Sequence, residues 1–322
     1  SPLIIMLHGY GNSASSFRST TGFEKAATLQ GYTVAWVSGS KNPKVRTSLP
    51  EWNSGLGHNN NDDVGFLVSV VEYFQKNYNT SKEKVFVIGF SNGAFMTHRL
   101  ALEASDVFAG VVSVAGKMPK YVWENKTEKC NVNVFQITGE KDNDKTKKID
   151  NSAANAIDPA IEDVIEYYVQ ANGLEIKEDV KIASSTLTKY KSNSSDKKIF
   201  HLLVDEGNHS WPTEQINGID TNKLILEFLE SIAEGVLANW LSGHSLWDKI
   251  RTMGGAYGGG AFNNSIEEVV SFYSYRDPTP NKSLDVYLEV LKEVSEKGIS
   301  KEDLERTIIS IYGMITTPKD AT

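Results

Sequence analysis

Val85–Met96 reads VFVIGFSNGAFM. The apolar run VFVIGF breaks at Ser91, which stands between Gly89 and Gly93, and AFMTHRLALEA then continues with Met96 and Leu100 on one helical side. A short, uninterrupted apolar run predicts a strand buried on both faces, and the 3.6-residue spacing after it predicts a helix. Strand passing into helix through a tight turn is the repeating unit of a parallel sheet covered by helices.

The same alternation extends outward in both directions. Further strands are expected at LIIML (3–7), TVAWVSG (33–39), AGVVSVAG (109–116), NVNVFQITG (131–139) and KIFHLLVD (198–205). Val64, Leu67, Val68, Val71 and Phe74 share one helical face, and Ile161, Val164, Ile165 and Tyr168 share another after a start at Asp158-Pro159. The segment SSTLTKYKSNSSDKK (184–198) reads as a polar loop or hairpin. These features predict a doubly wound, mostly parallel α/β sheet.

Beyond about residue 232 the pattern changes. Thr221–Leu241 predicts one long helix, so a seam near 231–236 would fall inside it. A glycine-rich segment (254–262), a strand-like VVSFYSYR (269–276) and the turn DPTP follow. Two helices are expected to close the chain, the first with Leu284, Leu288, Leu291 and Val294 on one face, the second starting at Ser300 with Asp303 as its capping partner. The expected division is 1–232 and 233–322.

Composition narrows the function. The 322 residues are 40% hydrophobic and 23% charged, which is enough apolar material for packed cores without a spanning segment. A net charge of −8 with no Lys/Arg block argues against nucleic acid or an anionic membrane as partner. Cys130 is the single cysteine, which excludes an internal disulfide and a thiolate zinc cluster. The chain opens at Ser1 almost directly on an apolar strand, so a signal peptide or a first hairpin is expected upstream; secreted and cytoplasmic locations both stay open. Oligomeric state is not legible.

In such sheets functional residues gather on loops at the carboxyl ends of strands. Gly89-Phe90-Ser91-Asn92-Gly93 fits G-x-S-x-G, the elbow that presents a nucleophilic serine on a strained strand-to-helix turn. The elbow also leaves the Asn92 N–H at a helix start, aimed where an oxyanion would form. A hydroxyl needs a base, and the base needs an orienting acid. His209 in DEGNHSWP lies on a loop past a strand and after the serine in chain order; His8, His58, His98, His201 and His244 fit that position less well. ITGEKDND (137–144) offers Asp142 nearest the strand end and Asp144 behind it. The turn His8-Gly9-Tyr10-Gly11 can supply a second N–H, that of Tyr10, with His8 as its scaffold. No metal or organic cofactor is called for.

PLIIMLHGYGNSASSF, EWNSG, NNDDVGFL, GFSNGAFMTHRLA, ITGEKD and NHSWP occur in that order over residues 2–230. The series resembles α/β-hydrolases of the polyhydroxybutyrate depolymerase and feruloyl esterase type. That resemblance implies Ser91 as nucleophile, Asp142 as acid and His209 as base. It also assigns Trp52 and Trp211 to substrate contact, with Trp52 and the Asp62-Asp63 pair shaping the site from neighbouring loops; read alone, these are a core tryptophan and a helix-capping aspartate. The implied substrates are feruloyl or acetyl esters of plant polysaccharide, short acyl esters or polyhydroxyalkanoates.

The tail resembles something else. LANWLSGHSLWDKIRTMGGAYGGGAF and FYSYRDP are similar to the carboxyl-terminal part of presequence-protease-like zinc metallopeptidases, where Arg and Tyr of R-x-x-G-G-A-Y grip substrate backbone; the matching residues are Arg251 and Tyr257. Such enzymes need H-x-x-E-H, and this sequence contains none, so the tail is expected to be a non-catalytic α+β segment. The alternative reading of the whole chain is a binding or assembly module, or a peptidase-related fusion protein.

Overall fold

The computed structural model describes residues 1–41, 48–57, 59–142, 158–192, 195–242, 246, 249–250, 254–264 and 269–299. They form two compact units, Ser1–Leu229 and Glu230–Thr322.

The first unit is built on an eight-stranded sheet. Its elements are β1 (Leu3–Leu7), α1 (Ala14–Thr21), α2 (Phe23–Leu29), β2 (Thr33–Val37), α3 (Asp63–Tyr78), β3 (Val85–Phe90), α4 (Asn92–Glu103), β4 (Gly110–Val114), α5 (Lys120–Glu124), β5 (Asn133–Gly139), α6 (Ile161–Ala171), β6 (Ile176–Ile182), β7 (Ser185–Lys191), β8 (Ile199–Val204), α7 (Glu214–Asn217) and the start of α8 (Thr221–Leu241). The strand order is β2-β1-β3-β4-β5-β8-β7-β6. All neighbours run parallel except the pairs that β7 makes with β6 and β8. β1, β3, β4 and β5 are buried along almost their whole length, which is why they read as unbroken apolar runs.

The segment read as a polar loop or hairpin, 184–198, holds β7, one arm of a hairpin whose other arm, β6, lies ahead of it and has no counterpart in the sequence reading. β6, IKEDVKI, alternates half-buried and exposed residues at the edge of the sheet and carries four charged side chains. Charges at an edge block further strand pairing and remove the apolar signature. A two-residue turn joins the strands, with Ile182 opposite Ser185 and Ala183 at φ 52°.

One polar cluster lies inside this core. His98 of α4 is sealed off, its Nδ1 paired with Tyr168 Oη and its Nε2 with Gln136 Oε1, each at 3.1 Å. Burial pushes its pKa down to about 4, and His201, beside Gln136 on β8 with its Nε2 buried, is likewise held near 4. In the unfolded chain both rings take up protons near pH 6.5. Between these values the unfolded state binds protons that the native state refuses, so stability falls as pH drops. The expected slope is about 1.4 kcal/mol per pH unit for each histidine. Urea denaturation at steps from pH 7 to pH 4 checks this; a flat profile would show that the rings are not held neutral.

The second unit contains the rest of α8, a hairpin of β9 (Gly258–Asn264) and β10 (Val269–Tyr275), and α9 (Pro280–Lys297). The glycine-rich segment thus ends in a strand. Leu241, Leu246, Ile250, Ala256, Ala261, Tyr287 and Val290 form its core. α9 turns Ser283, Tyr287 and Val290 inward, with Tyr287 stacked on Phe272 at 5.0 Å. The leucine face expected there points outward instead, with Leu284 59% and Leu288 68% exposed. Val290 joins Tyr287 in this core and Val286 and Val294 pack against it, so the face turned inward is built from one tyrosine and valines. The second closing helix, with Ser300 and Asp303, lies outside the described residues. No described helix is long and apolar enough to cross a membrane.

Candidate active site

Ser91 stands between β3 and α4 with φ 53° and ψ −119°, a left-handed conformation that an L-residue holds only when its surroundings enforce it. The glycines explain how. A Cβ on Gly89 would lie 2.2 Å from the Gly93 carbonyl oxygen, and one on Gly93 would lie 2.3 Å from that of Leu7. The turn is therefore pressed against its own helix and against the end of β1, and only glycine fits at both places. The Ser91 N–H donates to Val114 O at 3.0 Å, which ties the turn to β4 as well.

Asp142 and His209 arrive from neighbouring strands. β5 and β8 pair in parallel, and the loops that leave them are zipped together: Glu140 N–H donates to Val204 O at 2.9 Å and Lys141 N–H to Gly207 O at 2.7 Å. Lys141 also pairs with Glu206 across the loops. This zipper fixes the Asp142 carboxylate under the imidazole. His209 Nδ1 lies 2.9 Å from Asp142 Oδ2, and His209 Nε2 lies 2.9 Å from Ser91 Oγ. An ionised carboxylate only accepts, so Nδ1 carries the proton and Nε2 is free to accept from the serine hydroxyl. The Asp142 side chain is 2% exposed, whereas that of His209 is open on one side. Asp144, the other acid considered, lies outside the described residues, as do His58 and His244.

The loop after β1 lies against the serine, since a Cβ on Gly9 would come within 3.2 Å of Ser91 Cβ. His8 holds this loop from inside. Gly39 N–H donates to its Nε2 at 2.9 Å, so the proton sits on Nδ1, which donates to Gly9 O at 2.7 Å. Burial lowers the His8 pKa and keeps this neutral tautomer. The Gly9 carbonyl and the Tyr10 N–H belong to one planar trans peptide, so pinning the first orients the second. Among the described residues the Tyr10 N–H has no protein acceptor, and Asn92 opens α4, where a first-turn N–H has none within the helix. Both donors are left available.

The two tryptophans assigned to substrate contact are buried. Trp52 is 2% exposed and packs on His8 with ring centroids 5.4 Å apart. Trp211 is edge-on to Phe17 at 5.7 Å, and its Nε1 donates to Asn222 Oδ1 at 3.2 Å, while Asn222 Nδ2 donates to Thr21 O at 2.9 Å. Phe17 in turn stacks on Phe90, whose ring lies 5.4 Å from that of His209. Trp211 thus anchors the histidine loop. Asp62 caps α3 by accepting from Gly65 N–H at 2.9 Å, and Asp63 accepts from Asn53 N–H at 2.6 Å. Burial raises the Asp63 pKa against the opposing pull of that N–H and of Arg99. Asn222 and Asn53 were not legible as site supports, because a lone asparagine gives no pattern.

In the second unit Tyr257 is exposed beside Tyr275, with the Arg276 guanidinium 5.6 Å above its ring. Arg251, its expected partner, lies outside the described residues.

Residues 1–166 match the family model for phospholipase/carboxylesterase, and residues 227–322 match that for the PreP C-terminal domain. "Putative esterase NocK" of Nocardia uniformis subsp. tsuyamanensis is 30% identical over 236 residues, which is 66% of this chain and 65% of that protein. A mitochondrial presequence protease of Gibberella zeae is 37% identical over 84 residues, 26% of this chain and 8% of that protein. The chain therefore spans about two thirds of the esterase relative and a small fraction of the protease. Among solved structures, an acetyl xylan esterase from Aspergillus awamori superposes with a TM-score of 0.51 at 13% identity, covering 71% of this chain and 89% of that one, a likeness of fold.

Proposed function

The chain belongs to the phospholipase/carboxylesterase family of α/β-hydrolases, and we propose that it is a serine carboxylic ester hydrolase working through an acyl-enzyme. The observation that carries this reading is the unbroken hydrogen-bonded series from Ser91 Oγ through the His209 ring to Asp142. His209 Nε2 takes the hydroxyl proton while Ser91 Oγ attacks the ester carbonyl carbon. The resulting oxyanion is held by the N–H groups of Tyr10 and Asn92, each such donor being worth about 2.7–4 kcal/mol in k_cat. His209 gives its proton to the departing alcohol. A water molecule, deprotonated by the same nitrogen, then releases the acid and restores Ser91. Asp142 keeps the imidazole in the required tautomer throughout and stabilises the imidazolium.

The substrates we favour are feruloyl or acetyl esters of plant polysaccharide, or polyhydroxyalkanoate-like esters. The ordered motif series over residues 2–230 supports this class. We assign the chemistry to residues 1–232 and none to 233–322, because the tail resembles part of a peptidase whose zinc motif this chain lacks.

A panel of p-nitrophenyl acetate and butyrate, methyl ferulate, acetylated xylan and polyhydroxybutyrate tests both levels of the proposal. Turnover of the p-nitrophenyl esters is expected in every case, with one of the three natural-type substrates preferred. Failure on all five would overturn the esterase reading; failure on the last three alone would overturn only the substrate class.

A further inference from the structure

Trp52 joins two parts of the site that are far apart in the chain. Its backbone is paired with the Asn92 side chain: Trp52 N–H donates to Asn92 Oδ1 at 2.7 Å, and Asn92 Nδ2 donates back to Trp52 O at 3.3 Å. Asn92 Nδ2 also reaches Ser54 Oγ at 3.3 Å, so its amide is engaged on both sides and is buried. From the other end of the same residue, the indole Nε1 donates to His8 O at 3.0 Å. Asn92 carries one proposed oxyanion donor on its main chain, and the His8–Gly9 peptide leads directly into the other, on Tyr10.

The geometry points to Trp52 as a positioning residue for the oxyanion hole, an inference that rests on the esterase reading above. Both carbonyls flanking Gly9 are pinned, that of His8 by the indole and that of Gly9 by the His8 ring and by Asn12 N–H at 3.2 Å. With both peptide planes held, the Tyr10 N–H has little freedom left. The Trp52 backbone meanwhile holds the first residue of α4 by its side chain and so fixes the Asn92 N–H. One buried residue therefore sets the spacing between two donors that belong to separate loops. Donors preset for the oxyanion act only when charge has developed on the carbonyl oxygen, so loosening them should lower k_cat and leave K_M alone.

Trp52→Phe removes the indole donor and keeps an aromatic ring in place. Sites are counted by titration with a fluorophosphonate, so that unfolded protein does not enter the rate. Per titrated site, k_cat on p-nitrophenyl butyrate is expected to fall about 10-fold, with K_M within about twofold, since small displacements of catalytic groups have effects of that order or larger. Inhibition by an aliphatic trifluoromethyl ketone, whose hemiketal places an oxyanion in the hole, is expected to weaken by the same factor. Asn92→Ala breaks the link from the other side and should give the same pattern. A merely structural tryptophan would lower the melting temperature and the number of titratable sites while leaving k_cat per site and ketone affinity unchanged, and that result would overturn the inference. Should either variant fail to fold, the wild-type protein labelled with ¹⁵N-tryptophan decides: the Trp52 indole N–H resonance is expected to shift when the ketone binds, and an unmoved resonance counts against the proposal. Wild-type protein inactive on every ester would instead refute the esterase reading itself.

Discussion

Ser91→Ala is expected to reduce k_cat on p-nitrophenyl acetate by about 10⁴- to 10⁶-fold while leaving the fold intact. The reasoning follows from what the substitution removes. The backbone at Ser91 is held by the close packing of Gly89 and Gly93 and by the N–H bond to the Val114 carbonyl, and none of these constraints uses the hydroxyl. Alanine therefore keeps the turn, the helix and the Asn92 N–H in place. What disappears is the oxygen 2.9 Å from His209 Nε2, and with it the acyl-enzyme route. The two N–H donors and the base remain, so a small residual rate over the uncatalysed reaction is expected from polarising the carbonyl for direct attack by water. A fluorophosphonate should label the wild type at Ser91 and leave the variant unlabelled. Labelling that survives in Ser91→Ala would place the nucleophile elsewhere. Full esterase activity with no labelling of either protein would exclude serine chemistry, whereas a wild type with neither activity nor labelling would restore the reading of a binding or assembly module.

The parts of the molecule that could be read from the sequence share one physical property: they sit where two faces are buried. β1, β3, β4 and β5 are continuous apolar runs because helices cover both sides of the sheet, and such runs cannot be confused with loops once bounded by turn residues. The rule that loops at strand ends carry function then reduced many polar residues to a few, and the structure brings Ser91, Asp142 and His209 among them within hydrogen-bonding distance. Elements facing solvent on one side were harder. β6 reads as a polar stretch because an edge strand is protected by Lys, Glu and Asp, the same residues that populate loops. The rotation of α9 is ambiguous in the sequence because both of its faces carry apolar side chains, Leu284, Leu288 and Leu291 on the exposed one and Tyr287 and Val290 on the one that meets the core.

Side-chain direction was the least legible quantity. Trp211 follows His209 by two residues and Trp52 belongs to the motif EWNSG, and neither position says where an indole points. Trp211 is claimed by Asn222, on the next long helix, and by Phe17, far back in the chain, and Trp52 by His8 and Asn92, both distant in the chain. A motif series records which residues occur together; hydrogen-bond satisfaction of a buried N–H decides how each is used.

Asp142→Asn separates the assignment of the acid from everything else, and its expected cost is about 10⁴-fold in k_cat at neutral pH. The carboxylate accepts the Nδ1 proton of His209 at 2.9 Å and so leaves Nε2 bare toward Ser91. An amide at the same place can turn its NH₂ toward Nδ1. The ring then keeps its proton on Nε2, where it faces the serine hydroxyl and cannot accept from it. The imidazolium formed during attack also loses its counter-charge. Stability is expected to move the other way or not at all, because the substitution removes a carboxylate that is almost wholly cut off from water and whose burial is costly. Thermal unfolding unchanged or slightly raised, together with a collapsed k_cat and an unaltered K_M, is the signature to look for. Asp144→Asn is the internal control and should retain activity within about a factor of two, because His209 Nδ1 is already engaged by Asp142 Oδ2. The reverse pattern, with Asp144→Asn inactive and Asp142→Asn near normal, would transfer the role of the acid and break the series of contacts on which the proposed chemistry depends.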